Sequence, residues 1–394
     1  MGGLGFCGIR GRNRELAEIG DFLTHRVRLG AHVEALRRFV TPSSIVLDVG
    51  AGLGLISLLA CRLGAKRVYA VEPTEDIQFL EDVARDNGLS DRIVVLRKRP
   101  TEVSLPEPAD LIVSDVLEIL PHHRRRLADL ADARQRLLAP GGRVVPETDT
   151  LWLAVASASE AFERTHRAWQ SNPYGLNLSS ALRSVDNTAQ EHRALKDDLL
   201  CEPTQWARIH YPSLREFALR GRGTFTVTRP GTAHGLVVWF DTELAAGIGY
   251  SNAPGSANAV NGQILFTWPE PVSLRVGDEV NYDLRADPVG SNVVWTWATE
   301  IYRASAPDGV LLRARQSTFG SAPISAEALH KRAGSFTPSL SFEGDLVLST
   351  LEGMRSGKTI RDLAGDVLAT NPEYFRTLDD AHGFVGELSA RYSK

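Results

Sequence analysis

The run Ile45-Val46-Leu47-Asp48-Val49-Gly50-Ala51-Gly52-Leu53-Gly54 constrains this chain more than any other segment. An apolar, β-prone stretch enters a turn with glycine at alternate positions and then a helical pattern. A strand that is apolar on both of its faces needs cover on both sides, which favours a parallel sheet between helices. Glycines at the turn admit left-handed backbone and let amide donors approach a ligand at a helix N-terminus. The chain continues in the same rhythm. Gly54–Leu63, Ile77–Asn87 and Pro121–Leu138 read as helices between strands at Arg67–Glu72, Ile93–Arg97, Asp110–Asp115 and Arg143–Val145. Such alternation predicts a doubly wound α/β domain. Residues 13–40, ahead of Thr41-Pro42-Ser43-Ser44, read as one or two helices.

Two acidic residues narrow the ligand. Asp48, just ahead of the first glycine, suits a group bearing an amine, and Glu72, closing the second strand, can accept both hydroxyl protons of a ribose. The turn alone also occurs in nicotinamide and flavin enzymes, so an oxidoreductase is one alternative. With these acids, the set resembles the class I S-adenosylmethionine methyltransferases. The resemblance implies that Gly50, Gly52 and Gly54 cradle the amino-acid part and ribose of S-adenosylmethionine, that Thr101 and Glu102 reach its adenine, and that Leu138–Arg143 is the turn before a strand. No metal is implied.

After Pro146 the texture changes to short β-prone runs (Thr150–Ala156, Gly223–Thr228, Gly235–Thr242, Gln263–Trp268, Val293–Tyr302) separated by turn residues, which predicts an antiparallel barrel or sandwich. A polar helical insert is expected at Ser179–Leu200. From Ser325 onward the pattern is helical, with one short strand expected at Leu340–Phe342; this part resembles a winged helix and the PqqD-type peptide chaperones. The divisions are 1–40, 41–146, 147–319 with an arm at about 174–200, and 320–394.

Several segments resemble the protein arginine methyltransferases more closely: the strand 233–244 (AHGLVVWFDTEL), Asn172-Pro173-Tyr174-Gly175-Leu176, and the junction Val145-Pro146-Glu147. That resemblance covers roughly residues 15–320. It implies a homodimer built through the arm, and it places Arg26, with Arg28 as the alternative, at the cofactor carboxylate. It also fails at identifiable places. The family holds its guanidinium between two glutamates; here the first position is Asp115 and the second is Arg124, inside Pro121-His122-His123-Arg124-Arg125-Arg126, leaving Glu118 as the substitute. The Thr-His-Trp loop aligns with Ala259-Val260-Asn261. Asp115 and Glu118 are thus the catalytic candidates. A carboxylate lost and a basic cluster gained favour a nitrogen or oxygen acceptor on a small metabolite, amino acid or peptide. Arginine methylation proper and a catalytically decayed scaffold are the alternatives.

Composition sets outer limits. With 44 basic and 48 acidic residues the net charge is −4, which supplies no overall attraction for nucleic acid. Three scattered cysteines make no disulfide framework or zinc cluster, and Arg10, Arg12 and Arg14 interrupt any leader-like run. No stretch suits a membrane span, and a cytoplasmic location is expected.

Overall fold

The structure is a computed structural model that describes residues 20, 23–75, 77–115, 120, 124–171, 174–256, 262–289, 292–322 and 325–393, without the side chains of 124–126, 307 and 308. It divides into a larger unit ending at Pro323 and a smaller one from Ile324 to Lys394.

In the larger unit α1 (Arg26–Phe39) leads into β1 (Ile45–Val49), α2 (Leu55–Arg62), β2 (Arg67–Val71), α3 (Ile77–Asp86), β3 (Ile93–Leu96), β4 (Ala109–Val113), α4 (Arg124–Leu137) and β5 (Leu138–Val145). The five strands form a parallel sheet in the order β3-β2-β1-β4-β5, as the alternation predicts. The reason β1 reads as continuously apolar is visible in its packing. Ile45, Leu47 and Val49 enter one core with Tyr69, Ile112 and Leu127, while Val46 enters another with Leu36, Ile56 and Ala60. The helix α1 ends at Phe39: Val40 is extended, and Thr41, the residue before Pro42, resists helical backbone. One boundary departs from expectation. Residues 138–143 belong to β5 but span only Ala109–Leu111 of β4, so the Ala-Pro-Gly-Gly segment bulges out of the strand and does not precede it.

Two antiparallel sheets follow. The first has the order β7-β12-β10-β6-β8, built from β6 (Thr148–Ala156), β7 (Ala189–His192), β8 (Thr204–His210), β10 (Gly231–Ala245) and β12 (Gln263–Leu274), with β11 (Ile248–Ser251) beside β10. The second runs β15-β14-β13-β9, from β9 (Leu219–Thr226), β13 (Glu279–Val289), β14 (Asn292–Arg303) and β15 (Ala306–Ser317). Leu153, Val237, Trp268, Leu284 and Trp297 share the core of these sheets. Both indoles are satisfied there: Trp268 Nε1 donates to Thr299 Oγ1 at 3.1 Å and Trp297 Nε1 to the Thr267 carbonyl at 3.2 Å.

The expected helical insert is only partly helical. α5 (Ser159–Gln170) and α6 (Ser179–Val185) flank residues 171–178, and then β7 joins the sheet by pairing with β12. Partnership with an existing sheet overrides the weak helical pattern of this polar segment.

The smaller unit contains α7 (Ala326–His330), α8 (Phe342–Arg355), α9 (Ile360–Thr370) and α10 (Leu378–Tyr392) around Leu346, Leu363, Val367, Phe375 and Val385. Thr359 with Asp362 and Thr377 with Asp380 form capping boxes at the starts of α9 and α10. The strand expected at Leu340–Phe342 is absent, and no strand occurs among the described residues of this unit. Ser341 instead caps α8, accepting from the Gly344 amide at 3.2 Å, so the wing of a winged helix is missing here.

Candidate functional site

The site assembles at the C-terminal ends of β1, β2 and β4, where an open parallel sheet offers strand ends and helix N-termini together. Gly50, Gly52 and Gly54 have φ of +76°, +52° and +75°. Their roles differ. A Cβ on Gly50 or Gly52 would meet nothing within 4 Å, so the chain leaves open space beside this turn. A Cβ on Gly54 would sit 2.3 Å from Leu80 Cδ1, so α3 packs against bare backbone there. The turn is tied to the next strand, with the Gly50 and Ala51 amides donating to the Val71 carbonyl at 2.9 and 3.1 Å.

Glu72 stands half-buried beside this turn. Its Oε2 accepts from the Gly52 amide at 3.3 Å and its Oε1 from the Thr74 amide at 3.1 Å. Both carboxylate oxygens are thereby oriented while keeping acceptor capacity for a diol. Asp48 lies fully inside, accepting from Ser57 Oγ at 2.7 Å. Burial pushes its carboxyl up to about 7, against the pull of the Ser57 hydroxyl, and the charges of Asp115 and Glu72 push the same way. A cation placed here would relieve that strain.

Thr101 and Glu102 are exposed on a short helical turn at Pro100–Glu102, after β3. Arg136 of α4 holds this turn, donating to the carbonyls of Val103 and Pro100, each at 2.9 Å. Glu102 Oε2 accepts from the Arg99 amide at 3.1 Å.

The structure separates the two arginine candidates. Arg26 is exposed in the first turn of α1, whereas Arg28 is 3% exposed and reaches Asp115, which is 9% exposed. Arg28 Nη2 and Nε donate to Asp115 Oδ1 at 2.5 and 3.2 Å. His32, one turn further along α1, brings Nε2 to 3.5 Å from the same oxygen, and its Nδ1 lies 2.9 Å from the Arg28 carbonyl. Burial opposes the charge on Arg28, but Asp115, Tyr250 and Asp149 together hold its pKa above the ordinary value. Ser114, next to Asp115, donates to the Val49 carbonyl at 2.8 Å and so locks the end of β4 to β1. Glu118 and the loop at 259–261 lie outside the described residues, as do 121–123 of the basic cluster.

Sequence reasoning missed a second group. The Arg28 guanidinium lies 5.5 Å from the centre of the Tyr250 ring, which places β11 against α1. Asp149 on β6 is buried, taking the Thr242 hydroxyl at 2.6 Å and the Tyr211 hydroxyl. Burial pushes its carboxyl up to about 6, opposed by those two donors and by Arg28. The available signal was an aspartate near the start of a β-prone strand, a place such residues disfavour. His234, by contrast, serves the core: its Nδ1 accepts from the Ala158 amide at 3.1 Å and its Nε2 meets Ser159 Oγ at 3.3 Å.

Comparison with known proteins agrees with this architecture. Residues 30–146 match the family model of the ribosomal protein L11 methyltransferase, and residues 147–294 match that of the arginine methyltransferase oligomerization subdomain. A probable protein arginine N-methyltransferase 6 of Arabidopsis thaliana is 27% identical over 285 residues, covering 70% of this chain and 64% of that protein. A probable histone-arginine methyltransferase CARM1 of Oryza sativa subsp. indica is 30% identical over 277 residues, covering 66% of this chain and 52% of that protein. The chain thus spans between about half and two thirds of these relatives' length. Among solved structures, the Trypanosoma brucei PRMT1 enzyme-prozyme complex with AdoHcy superimposes with a TM-score of 0.67 at 18% identity, covering 75% of this chain and 94% of that one. Arabidopsis thaliana protein arginine methyltransferase 10 gives 0.66 at 22%, covering 76% and 97%. In fold the chain is similar to the class I S-adenosylmethionine methyltransferases and, among them, to the protein arginine methyltransferases.

Proposed function

We propose that this chain is an S-adenosylmethionine-dependent methyltransferase acting on a nitrogen, or an oxygen, of a small metabolite, amino acid or peptide. The observation that carries the reading is the open glycine turn flanked by a buried Asp48 in need of a cation and by Glu72 with both oxygens oriented. Asp48 would take the cofactor's amino group, Glu72 its ribose hydroxyls, and Thr101 with Glu102 the adenine edge. Arg28 is the better placed of the two arginines for the carboxylate, because it is buried against the site while Arg26 faces solvent. Bound there, the cofactor supplies a methyl group on a sulfonium, already a good leaving group, so the protein's work is mainly positioning.

Asp115 is the proposed orienting carboxylate for the acceptor, held in place by Arg28 and His32; Glu118 is the proposed second acid. Methylation of an arginine guanidino nitrogen is the second reading. It is favoured by the relatives' names and by the carboxylates Asp115 and Asp149 gathered at Arg28. Assembly as a homodimer through the arm is supported by Tyr174 and Leu176 at its start, both exposed, Tyr174 to 82%. Large apolar side chains so exposed on one segment commonly mark an interface. No described helix is long and apolar enough to cross a membrane.

Calorimetric titration with S-adenosylmethionine and S-adenosylhomocysteine, repeated on Glu72→Ala, tests the reading. Micromolar-range binding that the variant loses is expected; absence of binding to either compound refutes it.

A further inference from the structure

The buried charges beside Arg28 do not balance. Asp48 and Asp149 are fully buried and Asp115 nearly so, while Arg28 is the one buried guanidinium or ammonium among the described residues of this region. Asp115 engages Arg28 directly. Asp149 has hydroxyl donors instead, from Thr242 at 2.6 Å and from Tyr211. Hydroxyls favour the ionised carboxylate without cancelling its charge. Geometry ties it to the site: Thr242, which pairs with Asp149 across β6 and β10, pairs on its other side with Tyr250 of β11, and the Arg28 guanidinium lies 5.5 Å from the Tyr250 ring. A junction that merely joined β6 to β10 and to the turn after β8 would be served by a neutral amide at lower desolvation cost.

We infer that Asp149 is a specificity-determining residue whose surplus negative charge biases the neighbouring site toward cationic S-adenosylmethionine and against its neutral product. This rests on the cofactor reading above. The chemistry is general: S-adenosylmethionine carries an ammonium, a carboxylate and a sulfonium, whereas S-adenosylhomocysteine, the thioether left when the methyl has gone, lacks the sulfonium charge. At an effective dielectric near 20, one unit charge near a cationic ligand alters its affinity by about three- to tenfold once partial screening is included. A residue with this role favours cofactor entry and product departure together.

The test is calorimetric measurement of both dissociation constants at pH 8 for the wild type, Asp149→Asn and Thr242→Val, with a melting curve for each. Asp149→Asn is expected to lower the ratio of the product constant to the cofactor constant by about three- to tenfold, chiefly through weaker cofactor binding. Thr242→Val, which removes a donor but keeps a carboxylate still largely ionised at pH 8, is expected to leave the ratio within about twofold of the wild type. A purely structural role moves both constants by the same factor in Asp149→Asn and overturns the inference, as does an unchanged ratio in that variant. Should Asp149→Asn fail to fold, Asp149→Ser, smaller and also neutral, decides by the same criterion. A wild type that binds neither compound overturns the cofactor reading and the inference with it; a wild type that binds both with a ratio unaffected by the variants overturns the inference alone.

Discussion

Cofactor affinity should depend on pH through Asp48. In the free protein burial holds this carboxyl at about 7, so near neutrality it is about half protonated. A ligand ammonium placed beside it prefers the ionised form. The sign follows: binding releases a proton from Asp48, and affinity falls as pH falls through 7. From pH 8 to pH 6 the ionised fraction drops from about 0.9 to about 0.1, a roughly tenfold loss worth about 1.4 kcal/mol. Proton release should be near half an equivalent at pH 7, measured by titrating S-adenosylhomocysteine in two buffers of different ionisation enthalpy. Asp149, pushed up to about 6, adds to the fall only at the acid end. Asp48→Asn separates the two contributions. It should weaken binding at pH 8 by about ten- to a hundredfold, the scale of a lost hydrogen bond to a charged group, and flatten most of the profile between pH 6.5 and 8. An affinity flat from pH 6 to 8, or an unchanged profile in Asp48→Asn, would refute the electrostatic assignment.

Other consequences are accessible to simple measurements. Gly54→Ala combines left-handed backbone with a Cβ 2.3 Å from Leu80 Cδ1 and should cost about 2–4 kcal/mol in urea unfolding; a change below about 0.5 kcal/mol contradicts the packing argument. Arg28→Ala leaves Asp115 buried without its guanidinium and should destabilise by about 3–5 kcal/mol, with loss of cofactor binding. Arg26→Ala, at an exposed position, should move neither quantity appreciably, and weakened binding in it with Arg28→Ala intact would reverse the assignment. Light scattering should report a dimer that Tyr174→Asp weakens, and a monomeric wild type at working concentration would refute the arm as an interface.

Much of this protein was legible from residue order because its most informative features are local. The strand β1, the glycine turn, Asp48 and Glu72 are specified by alternation, backbone freedom and short-range spacing, and each lies where those rules place it. Boundaries erred where a partner outside the segment decided the outcome. Residues 189–192 became a strand because β12 offered an edge, and 340–342 did not become one because Ser341 caps a helix. Which of Arg26 and Arg28 is buried depends on the face that α1 turns to the end of β4, and packing turns Arg28 toward Asp115. Asp149, Tyr211, Thr242 and Tyr250 are scattered over about a hundred residues and meet only when the antiparallel sheets close against α1. Their charge matters because the fold removes water from them. Desolvation belongs to the assembled structure, whereas the turn that frames the proposed cofactor site is written in consecutive residues.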